Sequence, residues 1–410
     1  MFTSFSTALS ALSAQSTGID VVGNNLANLN TPGFKTSVVS FHDLVTQSLG
    51  AGLGETQVGF GVGRPITLRQ FSQGAIQTSS GPLDAAIQGD GFFVAKDAAG
   101  TTVYTRGGNL QVDKGGNLMT ATGDKLQGWT NIDGAVDLNA PIGDIVVPVG
   151  TLKDPAATKT VSVDLNLDAS AASGLADGTF STSMEVYDSL GNSHILSFTF
   201  TKSATANEWD YSVNGDGGAT ALATGKLTFD ASGKLKSPAS TDPSPQIKLT
   251  SLADGAADLT MDWNLFDTGV ARITQYTAKS APSALAQDGS PAANLIRVGL
   301  ADGGKIVAQY SSGQQTVVGQ LAMALVRNPE SLIAVGNSNY ALSARSALPA
   351  IGLPNTGGRG SVLGGAVEAS TVDIAREFTN LIVLQRGYQA NARVVTAVDE
   401  ISQETINLKR

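Results

Sequence analysis

Large apolar residues recur at helical spacing at the start of the chain. They are three or four positions apart, with Ser16 and Gly23 in register between them: Phe2, Phe5, Leu9, Leu12, Ile19 and Leu26. This spacing puts them on one stripe of an α-helix, as in a coiled coil. The stripe runs into an Asn-rich stretch followed by Thr31-Pro32-Gly33, where proline cannot continue a helix. The pattern therefore predicts an amino-terminal helix that stops near residue 30.

A second apolar stripe occupies the end of the chain. Its members again lie three or four positions apart, with looser continuations at Val398, Thr405 and Leu408: Ile374, Phe378, Leu381, Tyr388, Ala392 and Val395. Ser370 and Asp373 form an N-cap pair, so we expect a helix from about Ser370 to Leu408. Such a helix is about 60 Å long. That length favours a coiled coil, although two core helices of an ordinary domain would show the same heptads.

Short β-prone runs separated by glycine and asparagine turns fill the chain between the two stripes. A first set includes 92–94, 103–105 and 117–119, and it resumes after Gln275 with 297–298, 305–310 and 319–326. A second set, richer in Ser, Thr and Asp, includes 160–167, 184–187 and 195–201, with a turn at 188–192. The pattern predicts a multidomain, mainly β protein with terminal α-helices, in which one β domain is nested inside another.

Composition narrows the possible functions. The net charge of −9 argues against nucleic acid, which requires a basic surface. The longest apolar runs are too short for a membrane-spanning helix. Cysteine is absent, which removes disulfides and thiolate chemistry. The first 19 residues are apolar, but the first basic residue is Lys35, so we expect no cleaved signal peptide.

The sequence offers little to an enzyme hypothesis. The two histidines, His42 and His194, lie far apart in unlike contexts, so a histidine-based triad or metal site is not expected. Gly59 to Gly63 resembles a phosphate loop only superficially, because no Gly-Lys-Ser/Thr follows it. We therefore predict no catalytic residues, no cofactor and no metal site, and we expect a structural protein that is not an enzyme.

Three motifs in the right order resemble those of the flagellar rod, hook and hook-associated axial proteins. The first is Asn24-Asn25-Leu26-Ala27-Asn28-Leu29-Asn30-Thr31-Pro32-Gly33-Phe34-Lys35. The second comprises Leu83 to Phe93 and Tyr104-Thr105-Arg106-Gly107-Gly108-Asn109. The third is Leu384-Gln385-Arg386-Gly387-Tyr388-Gln389-Ala390-Asn391-Ala392. The resemblance covers roughly 1–145 and 285–410.

The resemblance implies a helical tube of many identical copies outside the cell. Within this family, a β domain inserted in the middle is typical of hook members, which form a curved universal joint that transmits motor torque to the filament. The implied partners are the distal rod protein, the hook cap, the hook–filament junction proteins and the flagellar type III export apparatus. A distal rod or hook-associated subunit is the first alternative, and an adhesin-like surface protein is the second.

The resemblance and the β pattern together predict four parts. They are a terminal coiled-coil domain (1–35 with 370–410), a glycine-rich joint region (36–70 with 355–369), an inner β domain (71–145 with 285–354) and an inserted outer β domain (146–284). The predicted assembly interface comprises Phe5, Leu9, Leu12, Ile19, Leu26, Phe378, Leu381, Tyr388, Ala392 and Val395. Asn24, Asn25 and Asn28 belong to the first family motif, but they are explained equally well as residues that simply end the helix.

Overall fold

A computed structural model of the protein describes residues 2–44, 46–48, 57–130, 137, 140–174, 178–218, 220–250 and 252–407. Two long helices stand at the ends, α1 (Phe2–Ala27) and α2 (Ile374–Asn407). No helix in these ranges is long and apolar enough to cross a membrane. The chain divides into two compact units: unit 1 comprises Met1–Val149, Arg297–Ala308 and Gln315–Arg410, and unit 2 comprises Gly150–Ile296 and Gln309–Gln314.

The strands are numbered in chain order. Those before residue 150 are β1 (Ser37–Ser40), β2 (Thr46–Ser48), β3 (Gln57–Gly59), β4 (Ile66–Arg69), β5 (Ile76–Thr78), β6 (Ala85–Gln88), β7 (Phe92–Lys96), β8 (Thr102–Thr105), β9 (Leu110–Val112), β10 (Leu118–Thr120), β11 (Lys125–Thr130) and β12 (Gly143–Asp144). Those of the middle are β13 (Leu152–Lys153), β14 (Thr160–Asp168), β15 (Thr179–Tyr187), β16 (Ser193–Lys202), β17 (Glu208–Gly215), β18 (Ala221–Phe229), β19 (Leu235–Ser237), β20 (Gln246–Leu249), β21 (Leu259–Trp263), β22 (Phe266–Asp267), β23 (Val270–Ala271), β24 (Ile273–Tyr276) and β25 (Ala281–Gln287). The last are β26 (Ala293–Ala301), β27 (Lys305–Tyr310), β28 (Gln315–Leu321), β29 (Met323–Leu325), β30 (Ile333–Gly336), β31 (Asn339–Ala341), β32 (Ala350–Gly352), β33 (Ser361–Gly364) and β34 (Ala366–Glu368).

Unit 1 is built on an antiparallel sheet to which both halves of the chain contribute. Its central order is β28-β11-β7-β8-β31-β30. The late strands β33 and β34 pair with the early strands β6 and β5, so the end of the β region returns to its beginning. The rings of Phe71, Phe92 and Tyr340 pack edge to face with centroids 5.1–5.9 Å apart. This aromatic cluster fixes early and late segments against one another.

Unit 2 is a sandwich of two five-stranded sheets around one apolar core. One sheet has the order β15-β16-β17-β18-β19, and the other has β20-β21-β14-β24 with β25 on β14. Side chains alternate between buried and half-buried along β14, as expected for strands that cover a core on one face. The Trp263 ring lies 5.1 Å from that of Phe198 and 5.0 Å from that of Tyr211, which joins the two sheets.

The predicted fold class is confirmed, with one local correction. The predicted strand 305–310 is β27, and 160–167 falls within β14. The carboxy-terminal helix, however, begins at Ile374 and not at Ser370. Asp373 is its cap, because its carboxylate accepts from the backbone N–H groups of Ala375 and Arg376 at 2.9 and 3.2 Å. Leu408, at the predicted end, lies outside the described residues.

Candidate functional site: the helix pair and its anchor

Helices α1 and α2 meet along a line of small side chains. Ala8, Ala14, Gly18 and Val22 are buried on α1. A side chain at Gly18 would lie 3.0 Å from a methyl group of Leu384, and one at Gly387 would overlap the amide of Gln15. Small residues at such positions let two helix backbones approach closely. The two helices therefore approach closely where a glycine of one faces a larger side chain of the other.

The large apolar residues of the two predicted stripes lie mostly elsewhere. Phe5 and Leu9 are 40% and 54% exposed on α1, and Phe378 and Tyr388 are 52% and 42% exposed on α2. Leu12, Ile19, Leu26, Leu381, Ala392 and Val395 are half-buried. Further apolar side chains, Ile382 and Val383 among them, are also exposed on α2. A single subunit thus leaves a substantial apolar surface on its helix pair uncovered.

Sequence reasoning missed the residues that hold the two helices together. Gln15, Gly18, Leu384 and Gly387 are absent from the predicted interface, although they are in close contact between α1 and α2 within one subunit. Asn391, which belongs to the third motif but not to the predicted interface, donates its amide N–H to Gln15 Oε1 at 3.3 Å. Spacing by three or four positions among small residues was the available signal, whereas the prediction followed the large ones.

The asparagines at the end of α1 have two different roles. Asn25 is buried and clamps β1, because its amide accepts from Ser37 N–H at 3.0 Å and donates to Ser37 C=O at 2.8 Å. Asn28 donates to Asn24 C=O at 2.9 Å and accepts from the Thr31 hydroxyl at 3.1 Å. These last bonds stay within the helix end and the turn after it. Asn24 and Asn28 therefore terminate the helix, and Asn25 ties it to the β region.

A buried ionic triad anchors both helices to the β core of unit 1. Lys35 Nζ lies 2.6 Å from Glu368 Oε1, and Arg106 lies 3.2 Å from Glu368 Oε2. Lys35 also donates to Ser72 C=O at 2.6 Å, and Gly74 N–H donates to Glu368 Oε1 at 2.7 Å. Burial lowers the pKa of Lys35 from its ordinary value, although the hydrogen bond with Glu368 opposes that shift. We call Lys35, Arg106 and Glu368 the anchor triad.

Gly33 allows the chain to reach the anchor triad. Its φ of 69° is in the left-handed region, and a side chain there would lie 2.6 Å from the carbonyl carbon of Arg106. Its N–H donates to Glu368 C=O at 2.8 Å. A glycine is needed here for both its conformation and its size. The Thr31-Pro32-Gly33-Phe34-Lys35 motif is thereby joined to the Tyr104–Asn109 motif, and both meet the strand that precedes α2.

The remaining predicted motif residues range from buried to exposed. Phe34 is buried, whereas Thr31 and Pro32 are half-buried and Ala27 is exposed. Gln385 and Arg386 are exposed on α2. In the glycine-rich stretch, Val62 N–H donates to the Ser10 hydroxyl of α1 at 3.2 Å. The Gly50–Gly54 part of that stretch lies outside the described residues.

Four consecutive stretches of the chain match described flagellar families. Residues 5–35 match "flagella basal body rod protein", and residues 86–166 match "flagellar hook protein FlgE/F/G D1 domain". Residues 166–290 match "flagellar basal body protein FlaE D2 domain", and residues 363–408 match "flagellar basal body rod FlgEFG protein C-terminal". Terminal helices anchored to a β unit whose sequence is interrupted by a second β unit, together with these matches, define a flagellar axial protein.

Curated relatives match along the whole chain. Flagellar hook proteins FlgE of Treponema pallidum and Borreliella burgdorferi are each 32% identical, with 100% of both chains covered. That of Escherichia coli is 31% identical over 99% of this chain and 100% of its own. The chain belongs to the flagellar hook protein FlgE family, and it is a hook subunit. Hook relatives of full length do not favour the rod or adhesin alternatives.

A solved structure supports the fold. The flagellar hook protein FlgE2 of Helicobacter pylori superimposes with a TM-score of 0.53 at 14% sequence identity, covering 70% of this chain and 99% of that one. At this identity the likeness concerns the fold alone.

Proposed function

We propose that this hook subunit polymerises through the outer faces of α1 and α2 into a curved helical tube that acts as a universal joint. The observation that carries the proposal is the exposed apolar surface of the helix pair, which includes Phe5, Leu9, Phe378 and Tyr388. Full burial of a large apolar side chain contributes about 1.5–3 kcal/mol. Repeated in every subunit, such burial supplies a driving force for a continuous helical layer.

The anchor triad transmits torque between the terminal helices and the β core of unit 1. Lys35 follows the end of α1 by eight positions, and Glu368 precedes the start of α2 by six. Because both residues are buried and bonded to each other, a force on either helix is transmitted to the β core of unit 1 without passing through a free linker. This arrangement suits a part that must rotate about its axis without coming apart.

The proposed role is structural and not catalytic, in keeping with relatives that are named as hook proteins. The proposed partners are further copies of the chain, the distal rod protein, the hook cap and the hook–filament junction proteins. We further propose export by the flagellar type III apparatus, in keeping with membership of the flagellar hook protein family. The four-part domain division and the interface residues given above belong to this proposal.

Phe378→Asp tests the proposal. Phe378 is exposed in the subunit, so the variant should melt like the parent, yet a charge in an apolar seam should prevent polymerisation. Thr379→Asp is the matched control, because it introduces the same charge at the next position of α2, where the parent residue is exposed and polar. Assembly is measured by sedimentation and electron microscopy, and motility by soft-agar spreading. Normal hooks from Phe378→Asp would refute the proposed interface.

A further inference from the structure

Four titratable side chains meet at one place in unit 2, and the hook function does not use them. Asp188 follows β15 and is fully buried, and His194 lies on β16. His194 Nε2 is 3.1 Å from Asp188 Oδ2, and Nδ1 is 2.7 Å from Asp216 Oδ2. Asp254, in the loop between β20 and β21, completes the group.

The hydrogen bond with Asp216 determines which ring nitrogen of His194 carries the proton. With Nδ1–H donated to Asp216, a neutral ring turns the lone pair of Nε2 towards Asp188 Oδ2. A lone pair facing a carboxylate oxygen at that distance is repulsive unless a proton or a metal ion lies between them. A carboxylate that accepts from the far nitrogen of a ligating histidine is the usual support of a zinc site.

The distance between two of the possible ligand atoms also fits a metal ion. One atom each from Asp188, His194 and Asp254 lies within 4.8 Å of the others. Zn²⁺ bonds to nitrogen and oxygen at about 2.0–2.2 Å, so two ligands of a tetrahedral ion are roughly 3.3 Å apart. The 3.1 Å between Nε2 and Asp188 Oδ2 agrees with that value. Three carboxylates around one imidazole also leave negative charge for a divalent ion to neutralise.

We propose that Asp188, His194 and Asp254 bind one Zn²⁺, with water as the fourth ligand and Asp216 as a positioning residue. One nitrogen and two carboxylate ligands suit this ion better than Mg²⁺ or Ca²⁺, which prefer oxygen throughout. The ion would tie the turn after β15 to the loop between β20 and β21. Asn192 already bridges these segments by donating its amide N–H to Asp254 Oδ2 at 2.6 Å.

Calorimetric titration of chelator-treated full-length protein with ZnCl₂ tests the site. We expect one ion per chain, with a proton released when the protein starts with His194 protonated, so that the heat depends on the buffer. His194→Ala and Asp254→Asn should each weaken binding by at least tenfold. Asp216→Asn should weaken it 10–100-fold, as loss of a supporting carboxylate does.

His42→Ala is the matched control, because His42 is the other of the chain's two histidines, and it should leave binding unchanged. Asp254 is exposed, so its replacement should leave the fold intact, which circular dichroism checks. Dissociation constants in the millimolar range, or equal binding by His194→Ala, would overturn the proposal. The cluster would then be an ion pair of a protonated histidine with Asp188 and Asp216.

Discussion

The ammonium group of Lys35 lies 2.6 Å from Glu368 Oε1, although 333 positions separate the two residues in the chain. Both side chains are fully buried. The pair joins the segment that follows the end of α1 to the segment that precedes the start of α2. The pair is therefore one of the contacts that hold the two terminal segments of unit 1 together, beside the pairing of β34 with β5.

Loss of the charge on Glu368 should destabilise unit 1 strongly. In Glu368→Gln, the buried Lys35 and Arg106 lose their counter-ion, which costs about 3–5 kcal/mol when one partner of a buried pair is removed. Lys125→Ala is the control, since its ion pair with Asp144 at 3.3 Å is partly exposed and contributes roughly 0–1 kcal/mol. Urea unfolding and hydrogen exchange measure both. Equal stability of the two variants would contradict the anchor.

Gly33→Ala should be far more damaging than Gly123→Ala. Both glycines have positive φ, 69° and 95°, so each variant carries the same conformational penalty of about 1 kcal/mol. Only at Gly33 would the new methyl group meet backbone, at 2.6 Å, whereas nothing lies within 4 Å at Gly123. The difference between the melting temperatures of the two variants measures the effect of the steric overlap at Gly33. Similar melting would show that the segment beside Arg106 moves freely.

Asn25→Ala should release β1 from the end of α1. The variant leaves Ser37 N–H and C=O without the amide partners that now satisfy both, at a cost of about 1–3 kcal/mol. Asn28→Ala removes only bonds within the helix end, so its effect should be smaller. Hydrogen exchange at Ser37 distinguishes them. Faster exchange in Asn28→Ala than in Asn25→Ala would reverse the assigned roles.

The stability of unit 2 should depend on pH at the histidine cluster. Burial works against protonation of His194, but hydrogen bonds to Asp216 and Asp188 outweigh it and raise its pKa above 6.5. Burial likewise works against ionisation of Asp188, but hydrogen bonds from Asp254, His194 and two backbone N–H groups lower its pKa from 3.8 to about 2.

A raised histidine pKa stabilises the fold below pH 6.5, and that contribution is lost as pH rises through the folded value. A lowered aspartate pKa stabilises the fold above 3.8, and that contribution is lost as pH falls towards 2. Stability from this cluster should therefore be greatest between about pH 4 and 6.5 in metal-free protein. His194→Asn should abolish the alkaline loss, measured by melting in the presence of a chelator, and His42→Asn should retain it.

A fragment of residues 156–290 should fold by itself. The chain enters and leaves the sandwich side by side, because Ala156 and Ser290 exchange both backbone hydrogen bonds at 2.9 Å. All buried members of its core lie between Val161 and Ile273. We expect a cooperative melt and a near-ultraviolet circular dichroism signal from Trp209 and Trp263. Trp263→Ala should lower the melting temperature of the fragment and reduce that signal. A fragment without fixed tertiary structure would show that the sandwich depends on unit 1.

The sequence alone determined what depends on neighbours along the chain. Heptad spacing located α1 and α2, and alternation with glycine turns located strands such as β14 and β27, because a helix or a strand repeats its burial every few residues. The absence of cysteine likewise needed no structure. Resemblance to axial proteins was visible in the motifs at 24–35, 104–109 and 384–392, since each is a continuous run of residues.

Tertiary structure decided which distant groups meet. The spacing of Phe5, Leu9 and Phe378 placed them on apolar helical stripes, but only the packing showed that these side chains are exposed. The packing also showed that Gly18 and Gly387 let the two helices approach closely. Nothing in the sequence indicated that Glu368 anchors the helices, because a single glutamate in a strand has that role only when Lys35 is buried beside it. A local pattern records which face of an element is covered, but the partner that covers it is set by the path of the whole chain.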